Sequence, residues 1–277
     1  MCLHEKSGLF ANSGSKITKA ILMNFDYLTR TELLIGSETL DSLSRKKVLV
    51  VGLGGVGAYA AEMLCRAGIG NLSIIDGDRI EMSNINRQLP ATTATIGMYK
   101  TEILVERFLE INPSIAINNY TEYIRGDRIT EVVNTGFDYI IDAIDVLTHK
   151  VALISASLKR GTPIVSSMGT GGKLDPSMIK ISDIEKTYNC RLAKMVRKRL
   201  HRREIHGGFK AVFSPEPVRG KIIAPTAKDT DEENSFKNAM STVGTISYIP
   251  AIFGCFCASE AINFFITSKE NPERKNV

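Results

Sequence analysis

The sequence predicts an α/β fold in which a doubly wound, Rossmann-like and mostly parallel sheet carries helices on both faces. Two observations predict it: a continuous apolar run followed at once by a glycine-rich turn, and strand patterns that alternate with helix patterns. The apolar run, residues 48–51, is typical of a strand buried on both faces. Strands and helices that alternate in this way connect through right-handed crossovers, so the strands lie parallel in one sheet.

Periodicity and the residues that end each run define the individual elements. A helix over 58–67 ends at Gly68 and Gly70, and a strand over 72–75 delivers Asp76 to its carboxyl end. The later elements are a helix over 99–111, a strand over 115–120, a helix over 127–134, a strand over 139–141, a helix over 150–159 and strands over 163–165 and 178–182. The predicted C-terminal extension consists of a basic helix over 192–203, a mobile loop rich in Gly, Pro and charge over 206–238, and an apolar helix within 242–266.

The composition is that of a globular domain. The chain has 277 residues, of which 43% are apolar and 23% charged, and this excludes a disordered or fibrous protein. Residues 1–22 are aperiodic and rich in Ser, Lys and Gly, and are predicted to be a disordered extension. Residues 23–277 are predicted to form a single domain, with a nucleotide-binding core over about 28–168 and a substrate-binding part over about 169–277.

The cysteines and the last apolar segment indicate where in the cell the protein is expected. The five cysteines are scattered and form no C-x-x-C pair, which predicts a cytoplasmic protein without a structural zinc site. Residues 242–266 are long enough to span a membrane, but Gly244, Pro250 and Glu260 interrupt them. We therefore expect a buried helix there, with weak membrane association as the alternative.

A nucleotide-binding turn is predicted at the end of the first strand. Gly52, Gly54 and Gly57 have the spacing of the dinucleotide fingerprint, Gly55 lies among them, and the helix that follows presents N–H groups to phosphate. Asp76 comes 19 residues after Gly57, the separation expected of a carboxylate that binds ribose. The alternative is a purely structural turn.

A polar segment downstream favours ATP over a nicotinamide cofactor. It contains Asp78, Asn84, Arg87 and Gln88, and Lys100 follows it. An enzyme that splits ATP between the α- and β-phosphates needs such groups because charge builds on the phosphate oxygens in the transition state. Arg87 and Lys100 are predicted to neutralise that charge, with ordinary solvated helix charge as the alternative.

Two carboxylates, Asp142 and Asp145, follow the strand that begins at Tyr139. Asp145 is the candidate Mg²⁺ ligand and Asp142 a second group at the nucleotide. The alternative for Asp145 is the N-cap of the next helix. Arg30, ahead of the first strand, is either a surface charge or a phosphate contact, in its own or in a partner subunit.

These residues together resemble the adenylation core of the ubiquitin-activating-type, ThiF-like enzymes. The likeness lies in Gly52–Gly57, Asp76 with Asp78, Asn84–Gln88, Lys100 and Asp145. It implies that a substrate carboxylate attacks the α-phosphate of ATP, giving an acyl-adenylate and pyrophosphate. It also implies that Arg30 and Arg87 contact phosphates and that Lys100 assists. By the same resemblance Asp76 holds the ribose, Asp145 holds the Mg²⁺, and the protein is a homodimer.

A second resemblance, to the tRNA threonylcarbamoyladenosine dehydratases, runs from Tyr27 to Ile266. It lies in Arg30–Gly36, Ile141–Asp145, Gly169–Pro176, and Gly244 with Phe253 and Gly254. It implies adenylation of the threonyl carboxylate of N6-threonylcarbamoyladenosine next to the tRNA anticodon, closure to the cyclic form, and release of AMP and pyrophosphate. Some relatives carry a cysteine before the last apolar segment, where this chain has Asn238–Ser241, so no cysteine role is carried over.

The basic helix is the predicted contact to tRNA backbone phosphate, with a solvated face as the alternative. Its candidate residues are Arg191, Lys194, Arg197, Lys198, Arg199, Arg202 and Arg203. Other functions stay open on sequence alone. The nearest is adenylation of the C-terminus of a small ubiquitin-like or sulfur-carrier protein; a nicotinamide-dependent oxidoreductase and a non-catalytic nucleotide-binding module are of different classes.

Overall fold

The structure is a computed structural model that describes residues 26–220, 222–223 and 242–270. The extension over residues 1–22, for which the sequence predicts disorder, lies outside these ranges. The last part of the predicted mobile loop, residues 224–238, also lies outside them, as does the segment Asn238–Ser241.

Seven strands form one sheet with the order β3-β2-β1-β4-β5-β7-β6. The strands are β1 Lys47–Val51, β2 Asn71–Ile75, β3 Ala116–Tyr120, β4 Tyr139–Asp142, β5 Ile164–Ser167, β6 Lys180–Asp183 and β7 Lys210–Phe213. All neighbouring pairs run parallel except β6, which pairs antiparallel with β7 at the edge. Two short strands, β8 Ile222–Ile223 and β9 Thr242–Val243, form a separate antiparallel pair. The predicted α/β fold with a mostly parallel sheet is confirmed.

Helices cover both faces of the sheet. In the described part of the chain they are α1 Thr29–Ile35, α2 Ser37–Ser44, α3 Gly57–Arg66, α4 Lys100–Ile111, α5 Asp127–Asn134, α6 Leu147–Arg160, α7 Arg191–His201 and α8 Tyr248–Glu270. α3, α4 and α8 contribute to one buried cluster and α5, α6 and α7 to the other. Val48 and Val50 of β1 belong to the first cluster, and Leu49 and Val51 to the second. This division explains why residues 48–51 of β1 are all apolar.

Three element predictions need correction. Residues 206–238 were predicted to be loop, but Lys210–Phe213 form β7, which lies between β5 and β6 in the sheet. The helix predicted over 150–159 starts at Leu147 rather than at residue 150. The apolar helix starts at Tyr248, because Thr242 and Val243 form β9 instead.

The apolar helix α8 packs on α3 and the sheet. Among the described residues it alone, over Tyr248–Ser268, is long and apolar enough to cross a membrane. Its inner side, which includes Phe253, Cys257 and Ala261, is fully buried in the protein. A Cβ at Gly254 would lie 2.9 Å from the Cβ of Tyr59, so the two helices touch backbone to backbone at this glycine. Burial against α3 therefore accounts for the apolar character of that side.

Candidate active site

The glycine turn joins β1 to α3 and lies against the loop that follows β4. Gly52 has a φ of +87°, and a Cβ there would lie only 2.7 Å from the carbonyl oxygen of Ala143. A Cβ at Gly57 would collide with the carbonyl oxygen of Gly52. Both positions therefore need glycine, because the turn is too tight for a side chain. The tight turn brings the N-terminus of α3 to the carboxyl edge of the sheet, where parallel α/β sheets bind their ligands.

Asp76 follows β2 and is held against this turn. Its Oδ2 accepts a hydrogen bond from the backbone N–H of Leu53 at 2.6 Å, and its Oδ1 accepts one from the N–H of Asp78 at 2.7 Å. The side chain is only 8% exposed. Burial raises the pKa of Asp76 above its usual value, although the ammonium group of Lys100, 3.9 Å away, acts in the opposite direction. The carboxylate is thus fixed at the point where a ribose is expected.

Lys100 is a buried charge at this site and not a solvated helix charge. Its side chain is 4% exposed, and its Nζ lies 2.8 Å from Oδ2 of Asp78. The hydroxyl of Tyr123 donates to the other oxygen of Asp78 at 2.5 Å. The structure thus links the carboxyl ends of β2 and β3 to the N-terminus of α4. Sequence reasoning missed Tyr123, which lies in a loop without a motif.

The polar segment after β2 folds into a short 3-10 turn that touches the glycine turn. Asn84 is buried and closes this turn, because its Oδ1 accepts a hydrogen bond from the N–H of Glu81 at 3.2 Å. Arg87 donates to the carbonyl oxygen of Ser83 at 2.8 Å. A Cβ at Gly55 would lie 3.2 Å from the carbonyl oxygen of Arg87. The structure therefore brings the polar segment next to the predicted phosphate-binding turn.

Gln88 has an unusual environment in the same segment. Its Oε1 is buried without a hydrogen-bond partner among the described residues. Its Nε2 would lie 3.9 Å from a Cβ at Gly54. A buried acceptor without a partner is unfavourable in a native protein and calls for an explanation, such as a bound ligand or water.

The two carboxylates after β4 have different surroundings. Asp142 is completely buried, and its Oδ2 accepts hydrogen bonds from Lys150 at 2.8 Å and from Ser166 at 2.6 Å. Its Oδ1 accepts the N–H of Ile144 at 3.0 Å. With both oxygens engaged and no exposed surface, Asp142 does not face a nucleotide in this structure, contrary to the sequence prediction. Its role here is to fix the loop on which Gly52 packs.

Lys150, the partner of Asp142, was also missed. Its ammonium group is fully buried and donates to Asp142, to the hydroxyl of Ser166 at 3.2 Å and to the carbonyl oxygen of Ser167 at 2.9 Å. A signal did exist in the sequence. Lys150 lies four residues before the buried Ile154 and seven before the buried Ser157, which is the inner face of a helix.

Asp145 is exposed in the loop ahead of α6 and does not cap that helix, whose N-cap is Val146. Among the described residues, no group of three or more His, Cys, Asp or Glu side chains is placed to hold a metal ion. A Mg²⁺ ion at Asp145 would therefore take its other ligands from phosphate oxygens and water, which is the usual arrangement for Mg²⁺ bound with a nucleotide.

Arg30 lies on α1, which has no buried residue. It makes no hydrogen bond or ion pair with any other described residue, and the structure does not join it to the glycine turn. Two neighbouring side chains, Leu33 and Leu34, are 83% and 84% exposed. Two neighbouring leucines with this much exposed apolar surface are unusual on a surface helix.

A layer of loops closes over the carboxyl edge beyond β5. The N–H of Gly172 donates to the carbonyl oxygen of Gly244 at 2.8 Å, and the N–H of Arg219 donates to the carbonyl oxygen of Gly172 at 2.9 Å. Asn86, from the polar segment, donates to the carbonyl oxygen of Thr245 at 3.0 Å. These bonds connect the loop after β5 and the segment before α8 to the polar segment.

Two buried charges that the sequence did not reveal hold this layer in place. Lys173 donates to the carbonyl oxygen of Glu216, and Oε2 of Glu216 accepts the N–H groups of Leu174 at 2.9 Å and Asp175 at 3.0 Å. Burial alone would raise the pKa of Glu216, but these hydrogen bonds and the nearby Arg219 lower it overall.

The basic residues of α7 divide into two groups. Arg197 is partly buried, and its guanidinium donates to the carbonyl oxygens of Ile184 at 3.3 Å and Thr187 at 3.0 Å and to the hydroxyl of Thr187. Its Nη1 therefore fixes a turn of the protein itself. The other six predicted residues are exposed: Arg191, Lys194, Lys198, Arg199, Arg202 and Arg203.

Comparison with known proteins places these features in a family. A model of the ThiF family matches residues 28–277. A tRNA threonylcarbamoyladenosine dehydratase of Haemophilus influenzae is 36% identical over 241 residues, covering 83% of this chain and 91% of that protein. The protein of the same name from Bacillus subtilis is 33% identical over 237 residues, covering 84% and 92%.

A solved structure is similar over nearly the same length. The crystal structure of the Escherichia coli tRNA N6-threonylcarbamoyladenosine dehydratase in complex with ATP matches with a TM-score of 0.79 and 29% sequence identity. The match covers 89% of this chain and 96% of that one.

Proposed function

The chain belongs to the ThiF family, and on that premise we propose that it is an ATP-dependent tRNA threonylcarbamoyladenosine dehydratase. One observation carries this function: relatives with that name match at 33% and 36% identity over more than four fifths of both chains. The similar solved structure has the same activity in its name and contains ATP.

The reaction follows from the chemistry of the carboxylate. The threonyl carboxylate attacks the α-phosphate of ATP, a P–O bond forms, and pyrophosphate leaves with the electrons of the broken bond. A carbamoyl oxygen or nitrogen then attacks the activated carbonyl carbon, the carbamoyl group loses one N–H proton, and a five-membered ring closes as AMP leaves. The carboxylate oxygen departs with AMP, so the net change in the substrate is loss of water. Ring closure is intramolecular, and proximity lowers its barrier.

The residues at the carboxyl edge fit the adenylation step. The N–H groups of the turn formed by Gly52, Gly54, Gly55 and Gly57, with the N-terminus of α3, would hold phosphate. Asp76, fixed by two N–H groups, would accept hydrogen bonds from the ribose hydroxyls.

The polar side chains act on the charge that develops on ATP. Arg87 and Lys100 would stabilise the charge on the α-phosphate and the leaving pyrophosphate. Asp78 orients Lys100, while Asn84 and Gln88 shape the wall beside the glycine turn. Gln88 is the side chain whose unpartnered Oε1 would gain most from a bound nucleotide.

Mg²⁺ is the proposed second cofactor, with Asp145 as its protein ligand. The ion would screen the negative charge of the triphosphate when bound. The exposed position of Asp145 after β4 agrees with that role.

Two proposals concern the assembly. We place the enzyme in the cytoplasm with its tRNA substrate and propose a homodimer in which α1 lies at the interface, so that Arg30 comes near a phosphate of its own or of the partner subunit. Weak membrane association through α8 remains a prediction of the sequence.

The exposed basic residues of α7 would contact the tRNA backbone. Arg191, Lys194, Lys198, Arg199, Arg202 and Arg203 keep this proposed role. Arg197 differs from them, because it is only partly exposed and its Nη1 is bonded within the protein.

The competing functions are less well supported. Adenylation of a small ubiquitin-like or sulfur-carrier protein would use the same core, but the relatives matched over most of their length are dehydratases. A nicotinamide-dependent oxidoreductase would leave Lys100 and Asp78, buried and paired beside Asp76, without a purpose.

The deciding experiment is ATP–pyrophosphate exchange and AMP release with the purified chain. We expect both only with threonylcarbamoylated tRNA, and neither with unmodified tRNA or without tRNA. Arg87→Met is expected to lower the turnover by about 100-fold, the loss typical of removing one transition-state donor.

Arg79→Met is the matched control for Arg87→Met. Arg79 lies in the same segment, but its guanidinium rests 3.7 Å from the ring centre of Tyr99 and donates to the carbonyl oxygen of Gly97. Turnover of the Arg79 variant should stay near that of the unaltered chain. Exchange with the C-terminus of a small carrier protein, and none with modified tRNA, would overturn the substrate assignment while leaving the adenylation core intact.

A further inference from the structure

A surface depression lies between α5, α6 and α7, away from the glycine turn. It consists of two adjoining cavities of about 300 Å³ and about 230 Å³. Arg203 lines both, so they meet at that side chain. We name this feature the three-helix groove.

The groove is basic, and none of the residues that line its two cavities is acidic. Arg199, Arg202 and Arg203 enter it from the C-terminal end of α7, and Lys159 enters it from α6. All four side chains belong to exposed residues. An uncompensated group of four cations along a concave surface attracts a polyanion.

The arginines are pre-positioned by hydroxyl groups of α6. Arg199 donates to the hydroxyl of Thr148 at 3.0 Å, and Arg203 donates to the hydroxyl of Ser155 at 3.1 Å. A guanidinium has five N–H donors, so each arginine keeps donors for a ligand after making this bond. Arg202 makes no hydrogen bond or ion pair with any other described residue. The floor contains small side chains, Ala152 and Ala156, which allow a ligand backbone to approach closely.

The direction of the groove relates it to the candidate active site. It starts at Thr148, three residues after Asp145, and extends along α6 to Lys159. Eleven residues of α-helix rise about 16 Å. An extended anion in the groove would therefore lead toward the end of α6 that begins beside Asp145, at the carboxyl edge of the sheet.

We propose that the three-helix groove binds consecutive backbone phosphates of the tRNA and directs the modified nucleotide to the carboxyl edge. This inference rests on the proposed function and adds a path to it. The contact is made by Arg199, Arg202 and Arg203 together with Lys159. The other exposed residues proposed to contact the tRNA backbone, Arg191, Lys194 and Lys198, line neither cavity.

The first test compares two pairs of substitutions that remove the same charge. The groove variant is Arg199→Gln with Arg203→Gln, and the matched control is Arg160→Gln with Lys186→Gln, two exposed residues that line neither cavity. Binding of threonylcarbamoylated tRNA to the full chain is measured at several salt concentrations, with ATP affinity measured in parallel.

We expect the groove variant to bind tRNA at least tenfold more weakly and to reduce the slope of log K against log salt by about 1.5, as for two lost phosphate contacts. The control pair should change the affinity by less than threefold. ATP affinity should be unchanged in both. Equal losses in the two variants would overturn the groove in favour of a diffuse basic face.

A second test uses residues outside α7, so that a damaged α7 cannot explain the result. Lys159→Gln lines the groove, whereas Arg160→Gln removes the neighbouring charge at the end of α6 without lining it. Thr130→Glu places a negative charge in the second cavity from the exposed side of α5. We expect Lys159→Gln and Thr130→Glu to weaken tRNA binding and Arg160→Gln to leave it unchanged.

The outcomes distinguish a failure of the groove proposal from a failure of the proposed function. If the unaltered chain releases AMP from modified tRNA while the groove variants bind tRNA normally, the groove is wrong and the function stands. If the groove variants lose tRNA binding while the unaltered chain forms no AMP, the function is wrong and the groove stands. Lost binding to anionic lipid vesicles with unchanged tRNA binding would assign the groove to a membrane surface and overturn the inference.

Discussion

Asp76 experiences two opposing influences at the proposed ribose site. Its carboxyl oxygens are the expected acceptors of hydrogen bonds from ribose, and an ionised carboxylate is the stronger acceptor, yet burial raises its pKa from the usual value of 3.8 and so disfavours the ionised form. An acid whose pKa is raised by folding stabilises the fold below the pKa of the unfolded chain. That contribution is lost as the pH rises from about 4 through the raised folded pKa. The ionised form of Asp76 is therefore unfavourable for the stability of the folded protein.

The substitution Asp76→Asn tests this conflict. We expect the free energy of unfolding at pH 7 to stay the same or to rise, because the buried charge is gone while an amide oxygen can still accept the N–H of Leu53. We expect ATP to bind at least tenfold more weakly, because a hydrogen bond to a charged group contributes about 1.5–3 kcal/mol. Urea unfolding between pH 4 and pH 8 and calorimetric titration of ATP measure the two effects. A variant that is less stable at pH 7, or that binds ATP normally, would contradict this account.

Single residues also show how far the sequence can be read. Lys100 and Asp76 lie together as their motif predicts, because strand ends and a helix start bring them to one edge. Asp142 and Asp145 are the same residue type and lie three positions apart, and only the structure shows that one is buried and the other exposed. Asp142 is the last residue of β4 and meets Lys150 from α6, and that pairing depends on how α6 packs. Motif spacing contains no information about such a contact.

The helices α3 and α8 are in close contact at one glycine. Gly254 lies where α8 crosses α3, and a Cβ there would lie 2.9 Å from the Cβ of Tyr59 and 3.0 Å from the backbone nitrogen of Ala60. Helix backbone cannot move aside as a flexible side chain can. The glycine therefore sets the distance between α8 and the helix that follows the phosphate-binding turn.

The substitution Gly254→Leu should push α8 away from α3. We expect it to lower the free energy of unfolding by about 1–3 kcal/mol, as overpacked interiors do. It should also weaken ATP binding, because Pro250 on α8 lies against Gly55 of the turn. Gly244→Ala is the control, since a Cβ at Gly244 would meet no atom of the described residues within 4 Å. Denaturant unfolding curves of the two variants decide the matter, and equal stability would refute the close contact.

Elements differ in how well local sequence predicts them. β1 and β2 were found within one residue because a long apolar run and a glycine turn mark them. β7 was missed because its apolar part is only Ala211–Phe213, between two glycines upstream and two prolines downstream. Its place in the sheet comes from pairing with β5 and β6, which are distant in sequence. A strand that is specified by its partners leaves little trace in its own residues.

At the scale of the whole molecule, the two proposed binding regions lie on different sets of elements. The nucleotide region is formed by segments that follow consecutive strands, so its residues appear in chain order and the sequence indicates them. The three-helix groove is formed by α5, α6 and α7, which meet only in the folded protein. The basic residues of α7 were visible in the sequence, but Lys159 and the hydroxyl groups of α6 were not recognisable as their neighbours.

The exposed leucines of α1 predict that two copies of the chain form a dimer. Leu33 and Leu34 are more than four fifths exposed on α1, and together they present apolar surface that a partner chain would remove from water. Arg30 is on the same helix, one turn before Leu34. We expect the unaltered chain to be a dimer in light scattering at micromolar concentration, and the variant Leu33→Lys with Leu34→Lys to be a monomer. The variant Leu109→Lys, which changes an exposed leucine on α4, should remain a dimer.

The monomeric variant also shows which subunit Arg30 serves. If Arg30 serves the partner's phosphate, the monomer will lose pyrophosphate exchange while it still binds ATP. If Arg30 serves its own subunit, exchange will survive in the monomer. An unaltered chain that is already monomeric would remove α1 from the interface and leave Arg30 as a surface charge.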